Sequence, residues 1–305
     1  MKNSRRLTRY IYLALAASFS HAACATELGL TNYPIGVNGI LDGVRPEPGK
    51  TLLLSYNMYN KADKFKDDEG DSAIPGFENT TIVSSLRTIH TWNYVAGPFT
   101  FSSAFNVPWT RSETSMMGRS DTEQGIGNID LEPLHVNYVN SSKTFFASAY
   151  IDFFIKNGDY DSTRLANYTQ NYDSATPLFA YTWFINGNWS TSGTLGIEFP
   201  LERNDETKYK SGDVFFAHPS IEYTPSSNRK LHFGLAGYYI KQLNNDSQPG
   251  VRIPGGGETR AVAIGTSVRY DFTRDLMFVL KYEHEVYYRN RAETQPLWLQ
   301  IAYMF

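Results

Sequence analysis

Four histidines, His135, His218, His232 and His284, fall in strand-like stretches. None is near another in sequence, so none forms the closely spaced pair that local metal or proton-relay motifs use. The chain contains no G-x-S-x-G elbow, phosphate-binding loop, H-E-x-x-H helix or acidic calcium loop. One Ser–His spacing occurs, in His218-Pro219-Ser220. An outer-membrane lipase would need that pair on the lipid-facing wall near the outer rim, within hydrogen-bond reach; alternation places both residues inward. No catalytic residue, metal ligand set or cofactor is expected.

What the sequence does offer is charge at mid-strand. Arg87, His135, Asp152, Glu198, His218, Glu222, Arg269, Lys281, Glu283 and Glu285 all fall on the polar side of alternating segments. A cation facing hydrocarbon at the bilayer mid-plane costs about 2–4 kcal/mol, so these groups must point into a lumen. There they either pair to rigidify the interior or line a transport path. The inward aromatics Tyr150, Phe154, Phe184, Tyr238 and Trp298 lie among them. A polar wall with aromatic patches suits a small hydrophobic or aromatic solute better than an inorganic ion.

The elements that hold these residues are strands. About twelve segments alternate with period two, at lengths suited to tilted membrane strands. They run over Lys50–Asn60, Thr80–Ala96, Pro98–Trp109, Ile129–Asn140, Thr144–Lys156, Ala175–Asn186, Asn188–Leu201, Gly212–Thr224, Arg229–Leu243, Thr259–Phe272, Asp275–Arg289 and Gln295–Phe305. Phe99, Phe101, Phe105, Val107 and Trp109 alternate with Thr100, Ser102, Ala104 and Asn106. The connections alternate in length. Gly97, Ser141-Ser142, Gly187, Pro225-Ser226-Ser227 and Thr273-Arg274 are short. Lys61–Asn79, Thr110–Asn128, Asn157–Ser174, Glu202–Ser211 and Asn244–Glu258 are long and polar, and a brief last loop covers Asn290–Thr294. Short turns on one side and long loops on the other describe an all-β transmembrane antiparallel up-and-down barrel, with the turns in the periplasm. A soluble β-sandwich would carry polar outward faces and would not sort its loops by length.

Both ends of the chain agree with a bacterial outer-membrane location. Lys2, Arg5, Arg6 and Arg9 precede the apolar run Tyr10–Ser18 and the A-x-A site Ala23-Cys24-Ala25, a cleavable signal over residues 1–25. Cleavage there removes the one cysteine of the chain and shifts the formal charge from −3 to −7. The last strand carries Leu297, Leu299, Ile301, Tyr303 and the terminal Phe305 on one face, which places it against outer-membrane lipid. Phe305 is the expected handle for barrel-assembly machinery. No basic run or stripe points to nucleic acid. A mean hydropathy of −0.39 looks soluble. The aromatic content of 15%, with 21 Tyr and 19 Phe, suits the interfacial girdles of a barrel. Residues 26–49 form a separate N-terminal segment ahead of the barrel at 50–305. Its Pro34, Pro46 and Pro48 preclude a regular strand. It is either a periplasmic tail or a plug folded into the lumen; Leu28, Leu30, Tyr33, Ile35, Val37, Ile40 and Leu41 make it apolar for a free tail.

Several short motifs recur in order along the chain. They are Tyr33-Pro34-x-Gly36, Asn157-Gly158-Asp159-Tyr160-Asp161, Tyr209-x-Ser211-Gly212-Asp213, Gly237-Tyr238-Tyr239-x-Lys241-Gln242, Arg289-Asn290-Arg291 and Leu297-Trp298-Leu299. In these the chain resembles the outer-membrane transporter family of the phenol meta-cleavage (MetA) pathway. The resemblance implies an outer-membrane channel for uptake of small hydrophobic or aromatic compounds linked to their degradation. It brings no catalytic residue and no named solute. A closed structural or adhesive barrel is the alternative, with the tyrosines and asparagines of Asn157–Ser174 placed to contact glycans.

Overall fold

The computed structural model describes residues 29–305. The expected signal segment 1–25, with Cys24, lies outside the described residues. Twelve antiparallel strands close into one barrel. We number them β1 (Thr51–Ala62), β2 (Glu78–Ala96), β3 (Phe99–Met116), β4 (Ile129–Val139), β5 (Phe145–Ile155), β6 (Ser174–Phe184), β7 (Trp189–Pro200), β8 (Val214–Tyr223), β9 (Leu231–Gln242), β10 (Arg260–Asp271), β11 (Leu276–Arg289) and β12 (Leu297–Met304). Each pairs with its sequence neighbours, and β1 pairs with β12 through Leu52 opposite Met304 to Tyr59 opposite Leu297. Closure pairs each of the twelve strands on both sides, the condition for spanning lipid with strands.

Alternation sets which side chains face outward. Phe105, Trp109, Phe179, Trp183, Leu195, Leu235, Ile264 and Leu280 are exposed on the outer wall, while their strand neighbours Ala104, Ala180, Thr194, Ala236, Ala263 and Lys281 are buried inside. Phe305 closes the last strand, exchanging backbone hydrogen bonds of 2.9 Å with Thr51 at the rim of short turns.

Two connections differ from the sequence expectation. Thr110–Asn128 reads in sequence as a long polar loop; in the structure β3 runs on to Met116 and turns back at Met117-Gly118 into a further strand, Arg119–Ile126. Both turn residues have positive φ, and the Met116–Arg119 pair closes a two-residue hairpin. Polar alternation in this stretch therefore marks a ribbon standing clear of the lipid face. The brief loop after β11 also contains a short strand, Arg291–Ala292, paired with Phe65–Lys66.

The middle of the N-terminal segment, residues 33–46, packs inside the barrel, while Leu30 and residues 47–49 are exposed. Tyr33, Val37 and Ile40 are buried in the barrel core. Tyr33 and Val37 join one apolar cluster with Leu54, Tyr56, Phe154, Phe216 and Trp298 of the wall.

Candidate functional site

The N-terminal segment meets the wall through a continuous set of polar contacts. Proline and glycine keep it irregular: Gly36 and Gly39 take φ of +87° and +123°, which a side chain would resist. Its free backbone groups must then find partners on the barrel. Glu198 of β7 accepts the backbone N–H of Asn32 and of Tyr33, at 3.0 and 2.9 Å. The Gly36 N–H donates to His218 Nε2 at 3.3 Å. Lys281 Nζ donates to the carbonyls of Gly36 and Asn38, and lies 3.3 Å from Glu283. Gln300 donates to the Val37 carbonyl at 2.6 Å, and Ser220 to that of Gly39. Asp42 accepts from the Gly39 N–H at 2.6 Å and Thr194 at 2.9 Å; its burial raises the carboxyl above the ordinary range. The Tyr33 ring stacks on Phe216 at 4.2 Å and meets Phe154 edge-on at 6.3 Å.

A second knot anchors the far end of the segment. Arg87 of β2 forms a two-pronged ion pair with Glu132 of β4. His135 Nε2 lies 2.8 Å from the same carboxylate, and Arg45 donates to His135 Nδ1 at 3.2 Å. Nδ1 is thus the acceptor and Nε2 carries the proton, an assignment made from the partners. Tyr150 stacks on the His135 ring at 4.2 Å, and the Arg45 and Arg87 guanidinium carbons lie 5.2 and 5.8 Å from its centroid. Both guanidiniums are thus within cation–π reach of one ring.

The sequence-selected residues fall into separate groups along the barrel. Glu198, His218, Lys281, Glu283, Tyr238 and Trp298 surround the middle of the segment, with Phe154 behind Tyr33. Arg87, His135, Tyr150 and Asp152 cluster around its far end, all buried. Glu222 and Arg269 pair at 3.1 Å, and Arg269 continues to Asp271 at 2.7 Å and so to His232. Glu285 pairs with Arg291 at 3.3 Å and accepts from the Tyr238 hydroxyl at 2.9 Å. Phe184 stands apart, half-buried at the short-turn end against Phe146. Ser220 and His218 are both buried inside, with Ser220 Oγ and His218 Nε2 bonded to the N-terminal segment, so no lipid-facing Ser–His pair forms there.

Asp130, Glu132, Asp42 and Arg45 belong to this constellation without having been singled out from the sequence. Strict alternation from His135 puts Asp130 and Glu132 on the lipid face. The register instead slips between Leu131 and His135, leaving Pro133 and Leu134 both exposed and turning Asp130 and Glu132 inward. Proline lacks the N–H a ladder needs, so Pro133 was the available sign of a bulge.

Between the segment and the wall lies a cavity of about 600 Å³. Leu52, Leu54, Tyr56, Ile89, Met277 and Ala302 face it from the barrel; Val37, Ile40, Leu41 and Val44 face it from the segment. Arg45, Arg87, Lys230 and Arg269 add four cations, and Asp42 and Asp271 two carboxylates. Thr273, Arg274 and Asp275 mark its edge at the short-turn rim. The space is an apolar chamber with cationic hydrogen-bond donors at its boundary.

The comparisons agree on the architecture. The model of the family described as MetA-pathway of phenol degradation matches residues 62–301. No curated protein matches the chain. Among solved structures, the COG4313 outer membrane channel from Pseudomonas putida F1 is similar over 88% of this chain and 99% of its own, at 15% identity and a TM-score of 0.75. The β domain of the Bordetella autotransporter BrkA follows at 8% identity and a TM-score of 0.50, covering 85% of this chain and all of that one (100%). Identities this low carry the fold of an outer-membrane barrel channel and nothing finer.

Proposed function

We propose that this chain, which belongs to the MetA-pathway family of phenol degradation, takes small hydrophobic or aromatic compounds across the outer membrane. The observation that carries this reading is the chamber of about 600 Å³. Its aliphatic walls suit a ring or short hydrocarbon, while Arg45, Arg87 and Arg269 suit a hydroxyl or carboxylate on the same molecule. In an outer-membrane orientation the short turns and the chamber face the periplasm. Residues 29–49 then act as the plug that separates the chamber from the long-loop side, and Phe305 as the contact for assembly machinery.

The test is growth on a limiting aromatic carbon source. Deletion of the gene slows growth on at least one of a panel of such compounds, and the wild-type copy restores it. A copy carrying Leu54→Trp, which fills the chamber from β1, does not. Normal growth of the deletion strain on every member of the panel contradicts uptake.

A closed structural barrel is the second reading. The dense bonding of the plug by Glu198, His218, Lys281 and Gln300 favours it. It predicts electrical silence from both the wild type and variants with a loosened plug.

A further inference from the structure

The inner wall on the long-loop side of Tyr150 carries an arc of oxygen atoms that the plug contacts do not use. Asp130, Glu132 and Asp152 each direct a carboxylate oxygen to a common point, all three within 4.8 Å of one another. Asp130 and Asp152 are 4% and 3% exposed, and Glu132 is fully buried. Arg87 and His135 partner Glu132. Asp130 Oδ1 and Asp152 Oδ1 have no hydrogen-bond partner among the described residues.

Two neutral oxygens in the same position extend the arc. Asn106 of β3 is the cross-strand partner of Asp130, and Thr176 of β6 is that of Asp152. Directly opposed side chains in such a ladder sit about 4.5–5.5 Å apart at Cβ. Asn106 Oδ1 and Thr176 Oγ1 are also buried without a hydrogen-bond partner among the described residues. Four successive strands thus each offer an unpartnered, buried oxygen on this part of the inner wall, the Asn106–Asp130 pair two residues out of step with the Asp152–Thr176 pair. Arg45, the other nearby cation, donates to His135 and to the carbonyls of Asp42 and Val44 and lies over the Tyr150 ring.

We propose that Asp130, Glu132 and Asp152 bind a calcium ion, with Asn106 and Thr176 at the margin of the site. Only hard oxygen donors are present, the set that calcium and magnesium take. Oxygens within 4.8 Å of one another can share one such ion; calcium accepts an irregular set of protein oxygens, whereas magnesium demands a near-ideal octahedron and keeps several of its waters. Three carboxylates crowded in a buried site outnumber the guanidinium of Arg87, which is already paired with Glu132, and a bound cation relieves Asp130 and Asp152 together. The ion ties β3 through β6 to one another beside the Arg45–His135 anchor of the plug.

Terbium, which replaces calcium and luminesces when a nearby tyrosine is excited, is the probe. Tyr150 and Asp152 share the inner face two residues apart. Purified protein in detergent, stripped with chelator, gives a saturable terbium signal that calcium displaces. Asp130→Asn and Asp152→Asn each weaken calcium competition at least tenfold, Thr176→Val about threefold, and the exposed loop variant Glu69→Gln not at all. Each variant is first checked for the heat-dependent gel shift of a folded barrel; should the Asp variants not fold, wild type against Thr176→Val decides. Absence of calcium-displaceable signal at both pH 7.5 and pH 8.5 overturns the site and assigns protons to the carboxylates. Calcium binding undiminished by Thr176→Val and by any folded Asp variant overturns it as well.

Discussion

Replacing Lys281 by methionine is expected to unseat the plug. The Lys281 ammonium is fully buried, pairs with the buried Glu283, and holds the carbonyls of Gly36 and Asn38. Removing one partner of a buried ion pair costs about 3–5 kcal/mol, because the other charge is stranded. At about 1.4 kcal/mol per tenfold, the ratio of seated to unseated plug falls by about two to three and a half orders of magnitude. Two orphaned carbonyls push in the same direction, each worth about 1–3 kcal/mol while they stay buried. The assay is maleimide labelling of Val37→Cys in the mature protein, since Val37 is 8% exposed in the seated plug. Labelling follows the population of the open form when reclosing is fast, so Lys281→Met accelerates it at least a hundredfold. Lys281→Met with Glu283→Gln removes the stranded charge and recovers part of the loss. A rate within threefold of the parent, or an equal rise in the exposed control Lys61→Met, would refute the reasoning.

Three further outcomes follow from the same contacts. Gly43→Val obstructs seating from the other side, since a β-carbon there runs into the backbone of Phe146, Tyr181 and Thr182; raised conductance with an unchanged heat-dependent gel shift is the expected pair of results. Arg87→Ala strands Glu132 and lowers the stability of the folded barrel by about 3–5 kcal/mol, read as earlier loss of the heat-dependent gel shift. Asp42 is raised above its ordinary value by burial in the seated plug, so the seated form binds the proton more tightly. Seating is then strongest below about pH 4, the ordinary Asp range, and weakens as pH rises through the raised value. Conductance increases with pH over that window in the wild type, and Asp42→Asn flattens the slope.

Much of this architecture was legible in residue order. Phe99, Phe105 and Trp109 against Ser102, Ala104 and Asn106 read directly as an outer and an inner face, because each strand is local and has a period of two. The same alternation placed Glu198, Lys281 and Glu283 inside. Lost to that logic were the places where the period breaks. Pro133 and Leu134 shift β4 by one residue, and Asp130 and Glu132 change face with it. Arg45 and Asp42 were unreadable for a different reason: their partners His135 and Thr194 lie about 90 and 150 residues away, and only tertiary docking of an irregular segment brings them together. Whether Tyr33 seeks lumen or water is likewise decided by Phe216 and Glu198, contacts that no local pattern encodes.

The most direct test of a plugged channel for aromatic solutes is single-channel current in a planar bilayer, for the wild type and Lys281→Met side by side. The account predicts a small stable current from the wild type, a larger one from the variant, and reduction of both by an aromatic carboxylate or phenol in the bath. Silence from both proteins, or a current indifferent to every such solute, contradicts it.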